Sequence, residues 1–477
     1  MRVLIFHGYL LDGTGSNVYN ARLAAALLGL GHEVHLFCQD RHPERQPFVD
    51  AAGDWDEGAL RVHTMRELPA GEQVRCTVYR PNIGGLLPVY VMDRYEGIQA
   101  CTFAECEEEQ VRRYIEANVA AVREVAERVR PQVALANHLI MGPVILARAL
   151  GGSVPYAVKV HGSALEYTVK AHPERFLGLA REGVAGAGGV LVGSRHTALS
   201  LWEALEDPAV ERRTRLGPPG VDIESFRPRA AIEAAAGVRA LAARLRAGAP
   251  SAAEEQVQEQ ASAFTRDDES AALALERLDP QRDRLVVFVG KLIRNKGVDL
   301  LLAAWPLVLA REPAARLVVV GFGAERERLE EAAAPLRERV VFTGRLDHEE
   351  LVELLPACEA IVVPSTFPEA FGMVAAEGAA CGALPVSAAH SGLAEVSDTL
   401  ARHVPSEAAR WLSFPIDDQA VPALAACLIG WLGAEPDLRS RTRAGLVAAV
   451  REHWSWEGVA RGVIAAASGE LDDLAVP

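Results

Sequence analysis

The strongest constraint on this chain lies in its second half. Between residues 285 and 387, five short apolar runs alternate with segments of helical periodicity. The runs are LVVFVG (285–290), RLVVVG (316–321), VVFTG (340–344), AIVVP (360–364) and ALPVS (383–387); the helical segments fall at 297–310, 324–337, 348–356 and 372–381. Runs of Val, Leu and Ile without polar alternation suit strands covered on both faces. Strands that alternate with helices close as a parallel sheet flanked by those helices. The first third repeats the scheme with RVLIFH (2–7), a helix from about Asn17 to Leu30, a strand at Glu33–Gln39, then QVALANH (132–138), PYAVKVHG (155–162) and GGVLVGS (188–194). At 477 residues the chain has the length of two domains. The expected fold class is α/β, with two Rossmann-like doubly wound domains.

The boundaries follow from punctuation. Residues 1–216 form the first domain, GPPGVDIESFRP (217–228) reads as a Pro- and Gly-rich linker, and 281–454 form the second domain. About 229–280 is rich in Ala, Glu and Arg with helical period, and reads as a solvated helical insertion or, less simply, a coiled contact for a partner. Residues 40–110 mix turn signals with short apolar runs and read as an irregular insertion or the lip of an acceptor cleft. A helical segment at about 436–467 carries Trp454 and Trp456, and its end, about 455–477, is expected to pack back on the first domain.

Composition excludes several functions. A net charge of −15 argues against a nucleic-acid surface or generic adhesion to anionic lipid. No stretch is a membrane span, and the apolar start runs straight into a strand–loop–helix pattern, so no signal peptide is expected. The seven cysteines are odd in number and scattered; Cys101 and Cys106 are the closest pair, and nothing nearby completes a metal set. A reducing cytoplasm with neither disulfides nor zinc is the expectation. Lysine occurs only at 159, 170, 291 and 296, all other basic residues apart from histidine being arginine. Either these are accidents of an arginine-rich composition, or a compact point charge is wanted there.

Two constellations carry chemistry. GKLIRNKG (290–297) places Lys291, Arg294 and Lys296 between a strand end and a helix start, an arrangement suited to a diphosphate. FPEAFGMVAAEG (367–378) holds Glu369 outside a helix and Glu377 about one turn inside it. Between them the N–H groups of Phe371, Gly372, Met373 and Val374 would be open at the helix start. Glu369 would accept from sugar hydroxyls and Glu377 from a ribose. The alternatives are a helix-dipole partner, or a glycosidase acid and nucleophile pair; neither accounts for the lysine turn. In the first domain Gly15, Asn137, His138, His161 and Ser194 all fall at carboxyl ends of strands, where open α/β sheets bind ligands. Gly13 and Gly15 alone are a weak phosphate-loop signal, equally a turn that needs small residues.

In this order and spacing the motifs resemble the retaining glycosyltransferases of family 4, which have the GT-B fold. The match includes GKLIRNKG, the Glu-x7-Glu at 369–377, PGVDIESFRP, the His161-Gly162 strand end and the glycine-containing loop after the first strand. It covers nearly the whole chain outside about 40–110 and 229–280. The resemblance implies two domains facing across a cleft and a UDP- or GDP-sugar type donor. It implies Glu369 on the donor sugar, Glu377 on the ribose, Lys291 and Lys296 on the diphosphate, and His161 beside the reacting centre. Gly344 and Leu346 would flank the nucleobase, and the loop 13–16 would cap the phosphates. The family usually has arginine at position 291 and two adjacent glycines near 13–15, and this chain departs from both. SNVYN (16–20) resembles the inositol-phosphate and sucrose-phosphate transferases.

The implied activity is sugar transfer to a small-molecule, saccharide or lipid-linked acceptor. No cofactor is implied, and no metal, since no Asp-x-Asp suited to that role is present. Asn137, His138 and Ser194 are candidate acceptor contacts. A nucleotide-sugar epimerase of the same fold and a non-catalytic scaffold are the competing readings. No nucleic-acid partner is expected; peripheral membrane contact and oligomeric state stay open.

Overall fold

The computed structural model describes residues 1–11, 15–67, 71, 73–90, 99–248, 267–336 and 338–477. The chain divides into two compact units, Met1–Gly220 with Trp456–Pro477, and Val221–Ser455.

In the first unit the chain runs β1 (Arg2–Phe6), α1 (Gly15–Gly29), β2 (Glu33–Phe37), β3 (Ala51–Asp56), β4 (Ala59–Thr64), β5 (Cys76–Arg80), β6 (Leu86–Val89), β7 (Gln99–Thr102), α2 (Glu108–Val129) and β8 (Val133–Asn137). It continues through α3 (Gly142–Leu150), β9 (Tyr156–Val160), α4 (Pro173–Ala185), β10 (Gly189–Val192), α5 (Arg195–Leu205), α6 (Pro208–Arg213) and β11 (Thr214–Leu216). One sheet takes the order β11-β10-β9-β8-β1-β2-β5-β3-β4. It is parallel except for the β3–β4 hairpin. Alternate residues feed opposite faces: Val3 and Ile5 join one buried cluster, Leu4 and Phe6 the other. That is why the apolar runs are uninterrupted. The C-terminal helix Trp456–Ser468 covers the same face as α1, burying Ala460, Val463 and Ala466.

The described part of the region 40–110 is more regular than its sequence suggests; 68–70, 72 and 91–98 lie outside the described residues. Three of its strands extend the main sheet, and β6 and β7 pair as a small parallel sheet. They were hard to read because β4 is an edge strand with mostly exposed side chains and β6 contains Pro88. Cys101 and Cys106 form a disulfide, their Cα atoms brought to 6.5 Å by the turn into α2. The expectation of no disulfide is corrected there; the five other cysteines are free and buried.

The second unit contains α7 (Ala231–Gly248), α8 (Asp268–Glu276), β12 (Arg284–Val289), α9 (Val298–Leu309), β13 (Ala315–Val320), α10 (Arg326–Ala333), β14 (Val340–Gly344), α11 (His348–Leu354) and β15 (Cys358–Val363). Then come α12 (Met373–Ala380), β16 (Leu384–Ala388), α13 (Ser391–Ala401), α14 (Ser406–Ala409), β17 (Ser413–Phe414), α15 (Ala420–Leu432) and α16 (Pro436–His453). The sheet order is β14-β13-β12-β15-β16-β17, all parallel, the doubly wound arrangement. α7 and α8 are not a solvated hairpin. Val238, Leu241, Leu245 and Leu275 are buried in the core of this unit. Their alanine-rich faces show the helical period but not which side is covered; residues 249–266 lie outside the described residues. The segment 436–467 is helical as expected, in two helices that break at Trp454–Ser455, where the units divide. Among the described residues no single helix is long and apolar enough to cross a membrane.

Candidate functional site

The strand order of the second unit reverses between β12 and β15, which are neighbours. Loops leaving two such strands diverge to opposite sides of the sheet and open a crevice at their carboxyl ends. Lys291 leaves β12, and Arg294–Lys296 form one 3-10 turn before Gly297, which starts α9. Gly297 is required: its φ is +66°, and a Cβ there would lie 2.0 Å from the Pro364 carbonyl at the end of β15. The Thr366 N–H donates to the Asn295 carbonyl at 2.9 Å. The lysine turn and the end of β15 are thereby laced together.

The result is an ion pair the sequence does not announce, Lys296 Nζ to Glu369 Oε1 at 2.6 Å across 73 residues. The Ser365 hydroxyl donates to the same carboxylate oxygen. The loop is pinned from behind: the Glu369 N–H donates to Ser391 Oγ at 2.9 Å, Gly392 N–H to the Glu369 carbonyl at 2.9 Å, and His390 Nε2 reaches the Ser365 carbonyl at 2.8 Å. Both charges of the pair remain partly solvated, at 31% and 21% side-chain exposure. Such a pair contributes little net stability, on the order of 1 kcal/mol. An arriving phosphate or hydroxyl can therefore take over either partner at small cost.

α12 begins beside this pair. Gly372 precedes it with φ +122° and no side chain caps its first turn. Among the described residues no acceptor faces the N–H groups of Phe371, Gly372, Met373 and Val374. Phe371 offers only its backbone, because its ring is buried 5.3 Å from that of Trp454. Glu377 is buried within α12 and accepts from His348 Nε2 at 2.8 Å. His348 opens α11 just after Gly344 and Leu346; Leu346 is mostly buried, and Gly344 turns the chain at φ +72°. The structure thus brings together Lys296, Glu369 and the start of α12, with Lys291 on the same rim. The His348–Glu377 pair stands one turn along α12.

His348, Ser365, His390 and Ser391 were missed from sequence. The only available signal for His348 was its place in the DHEE capping box after the Gly344 turn.

In the first unit the reversal falls between β1 and β8. His7, Asn137, His138 and His161 meet there. The His138 ring lies 4.9 Å from that of His161 and 6.2 Å from that of His7. Burial holds all three imidazoles below their ordinary pKa, His7 at about 4. They stay neutral. His138 is fully buried at φ +65°, with neither ring nitrogen hydrogen-bonded among the described residues.

Two candidate acceptor contacts are already occupied. Asn137 Oδ1 faces His161 Nε2 at 2.8 Å, while its amide nitrogen donates to Asn20 Oδ1 at 2.7 Å. Ser194 caps α5, accepting from the Thr197 N–H at 3.2 Å, and is buried. Lys159 is buried, its ammonium nitrogen donating to the Gly217 carbonyl, and desolvation pushes its pKa down to about 7. Lys170 pairs with Glu166 and Glu203. Gly15 opens α1 and is exposed; Gly13 lies outside the described residues.

Known proteins share this organisation. Residues 14–220 match the glycosyl transferase 4-like domain, and 272–404 match glycosyl transferases group 1, together more than two thirds of the chain. The D-inositol 3-phosphate glycosyltransferase of Segniliparus rotundus is 33% identical over 209 residues, 42% of this chain and 43% of that protein. An uncharacterized glycosyltransferase of Methanocaldococcus jannaschii is 36% identical over 24% of this chain and 29% of its own length. The chain thus spans under half the length of these two relatives. With the D-inositol 3-phosphate glycosyltransferase of Frankia alni, identity is 27% over 98% of this chain and 97% of that protein.

Among solved structures, sucrose-phosphate synthase from Thermosynechococcus elongatus aligns over 97% of this chain and 96% of its own, with TM-score 0.61 and 21% identity. Anabaena HepE in complex with UDP and glucose aligns over 98% and 99%, with TM-score 0.59 and 15% identity. At such identities these two show the fold. With both domain models matched in order and both parallel sheets in place, the chain belongs to the two-domain glycosyltransferases of the GT-B fold that include family 4.

Proposed function

We propose that this protein moves a glycosyl group from a nucleoside-diphosphate sugar to a hydroxyl acceptor, with retention of anomeric configuration and without a metal. The observation that carries this is the Lys296–Glu369 pair at the reversal point, beside the uncapped start of α12. As the sugar–phosphate bond breaks, negative charge grows on the leaving diphosphate. Fixed donors placed where that charge develops lower the barrier more than they tighten ground-state binding. Lys296, Lys291 and the N–H groups of residues 371–374 would supply them. Glu369 Oε2 has no hydrogen-bond partner among the described residues and would take a sugar hydroxyl. Glu377, oriented by His348, would take the ribose.

The reading without a metal rests on Lys291, Lys296 and the N–H groups at the start of α12, which would supply the positive charge that a cation otherwise brings to a leaving diphosphate. The names of the relatives put phosphorylated polyols and sugars first among acceptors to try.

The test is a thermal-shift screen of nucleoside diphosphates, followed by NMR of the product's anomeric configuration with and without EDTA. Stabilisation by one nucleotide and an α-to-α product support the reading. No stabilisation by any nucleoside diphosphate sinks it, and conversion of the sugar without an acceptor turns it toward an epimerase.

A further inference from the structure

A buried hydrogen-bond chain runs through the first unit behind His161, and each link has only one possible direction. His7 Nε2 lies 2.9 Å from the Leu10 carbonyl, an oxygen that can only accept, so Nε2 carries the proton and also faces Asn17 Oδ1 at 2.9 Å. His7 is neutral, so its Nδ1 is a bare acceptor. Asn20 Nδ2 donates to that Nδ1 at 3.0 Å and to the Ser16 carbonyl at 2.8 Å, which places its Oδ1 on the other side. Asn137 Nδ2 donates to this Oδ1 at 2.7 Å and to the Phe6 carbonyl at 3.3 Å, so Asn137 Oδ1 must face His161. An oxygen there, 2.8 Å from His161 Nε2, requires a proton on that nitrogen. Three backbone carbonyls thus set the sense of the whole chain, and flipping the amide of Asn20 or Asn137 would set like against like at two contacts or more.

We propose that His7, Asn20 and Asn137 are positioning residues that hold His161 as its Nε2–H tautomer, so that it offers the lone pair of Nδ1 to a substrate hydroxyl. The role for the hydroxyl rests on the transferase reading above; the tautomer does not. Nδ1 has no hydrogen bond among the described residues, and the ring is steadied edge-on by Tyr19, 5.0 Å between centroids, and by His138 at a tilt of 53°. Desolvation, helped by His138, Lys159 and His7, keeps the ring neutral, so the lone pair is present. His161 then accepts from substrate and cannot donate to it, which excludes a role as proton donor to the leaving group.

The experiment is nitrogen NMR of the full chain labelled with 15N-histidine at neutral pH, with the His161 signals assigned by their loss in His161→Gln. A protonated Nε2 and bare Nδ1 are expected in the wild type. In Asn137→Leu a second tautomer should appear, and kcat should fall about tenfold with donor KM changed less than about twofold. A protonated Nδ1 in the wild type, or an unchanged tautomer in Asn137→Leu, overturns the proposal. If Asn137→Leu does not fold, the wild-type spectrum still decides. The spectrum needs no nucleotide sugar: a protonated Nε2 in a protein without transferase activity would refute the transferase reading and leave the tautomer standing.

Discussion

The two candidate rims are built in opposite ways. Both sit where a parallel sheet reverses its strand order, and both gather polar side chains from loops far apart in sequence. In the second unit the groups are ions held as exchangeable pairs, Lys296 with Glu369, and a buried glutamate steadied by His348. In the first unit they are neutral imidazoles and amides, desolvated, with His7, Asn20, Asn137 and His161 Nε2 joined in one hydrogen-bond chain. Charge is kept where a charged diphosphate would bind, and removed where uncharged hydroxyls would react. A buried unpaired ion is costly, so the histidine rim can be dry only because it is neutral.

The largest expected effect tests the charged rim. Lys296→Ala should lower kcat by about 10²–10³-fold, as loss of one transition-state donor does, while the melting temperature stays within about 2 °C because the pair itself is worth little. Steady-state kinetics beside calorimetry would check this, and a large stability loss with unchanged kcat would contradict the contrast. Next is Gly297→Ala, which forces a side chain into a left-handed turn against the Pro364 carbonyl. It should cost about 3 kcal/mol in urea unfolding and also reduce activity, since the lysine turn would shift.

A smaller effect probes desolvation in the first unit. Burial pushes the pKa of Lys159 in the folded state down to about 7, below the ordinary lysine value of about 10.5. Between those values the unfolded chain binds more protons, so stability rises with pH across that window and the full penalty applies below it. Lys159→Met should therefore gain ~1–2 kcal/mol at pH 6, after the lost bond to the Gly217 carbonyl is set against it, and the gain should turn into a loss toward pH 10.5, where only the lost bond remains. Chemical denaturation at several pH values decides the matter; a pH-independent difference would refute it. The smallest effect is that of Glu377→Gln. It should weaken nucleoside-diphosphate binding about fivefold by calorimetric titration, with the sugar-dependent part of the rate barely changed.

Much of this was legible in the residues themselves. The uninterrupted runs at 285–290 and 316–321 became β12 and β13 because burial on both faces leaves no room for polar alternation. The lysine turn and Glu369 were readable because glycine spacing and strand ends are local signals. Edge strand β4 was not, since its exposed side chains carry no apolar pattern. The Cys101–Cys106 link was also missed, because spacing alone does not say which turn brings two thiols together. Asn137 and Ser194 looked like free rim residues, but their partners, Asn20 and Thr197, are known only once the chain is folded or the helix start is placed.

By itself the amino-acid sequence determined the two parallel-sheet units, the lysine turn and the two glutamates, because periodicity, glycine and charge act over a few residues. The tertiary structure alone decided who pairs with whom: Lys296 with Glu369 across 73 residues, and Asn137 with Asn20 across 117. Partners so far apart are chosen by sheet order, and a hydrogen bond's direction is set by what stands behind each atom.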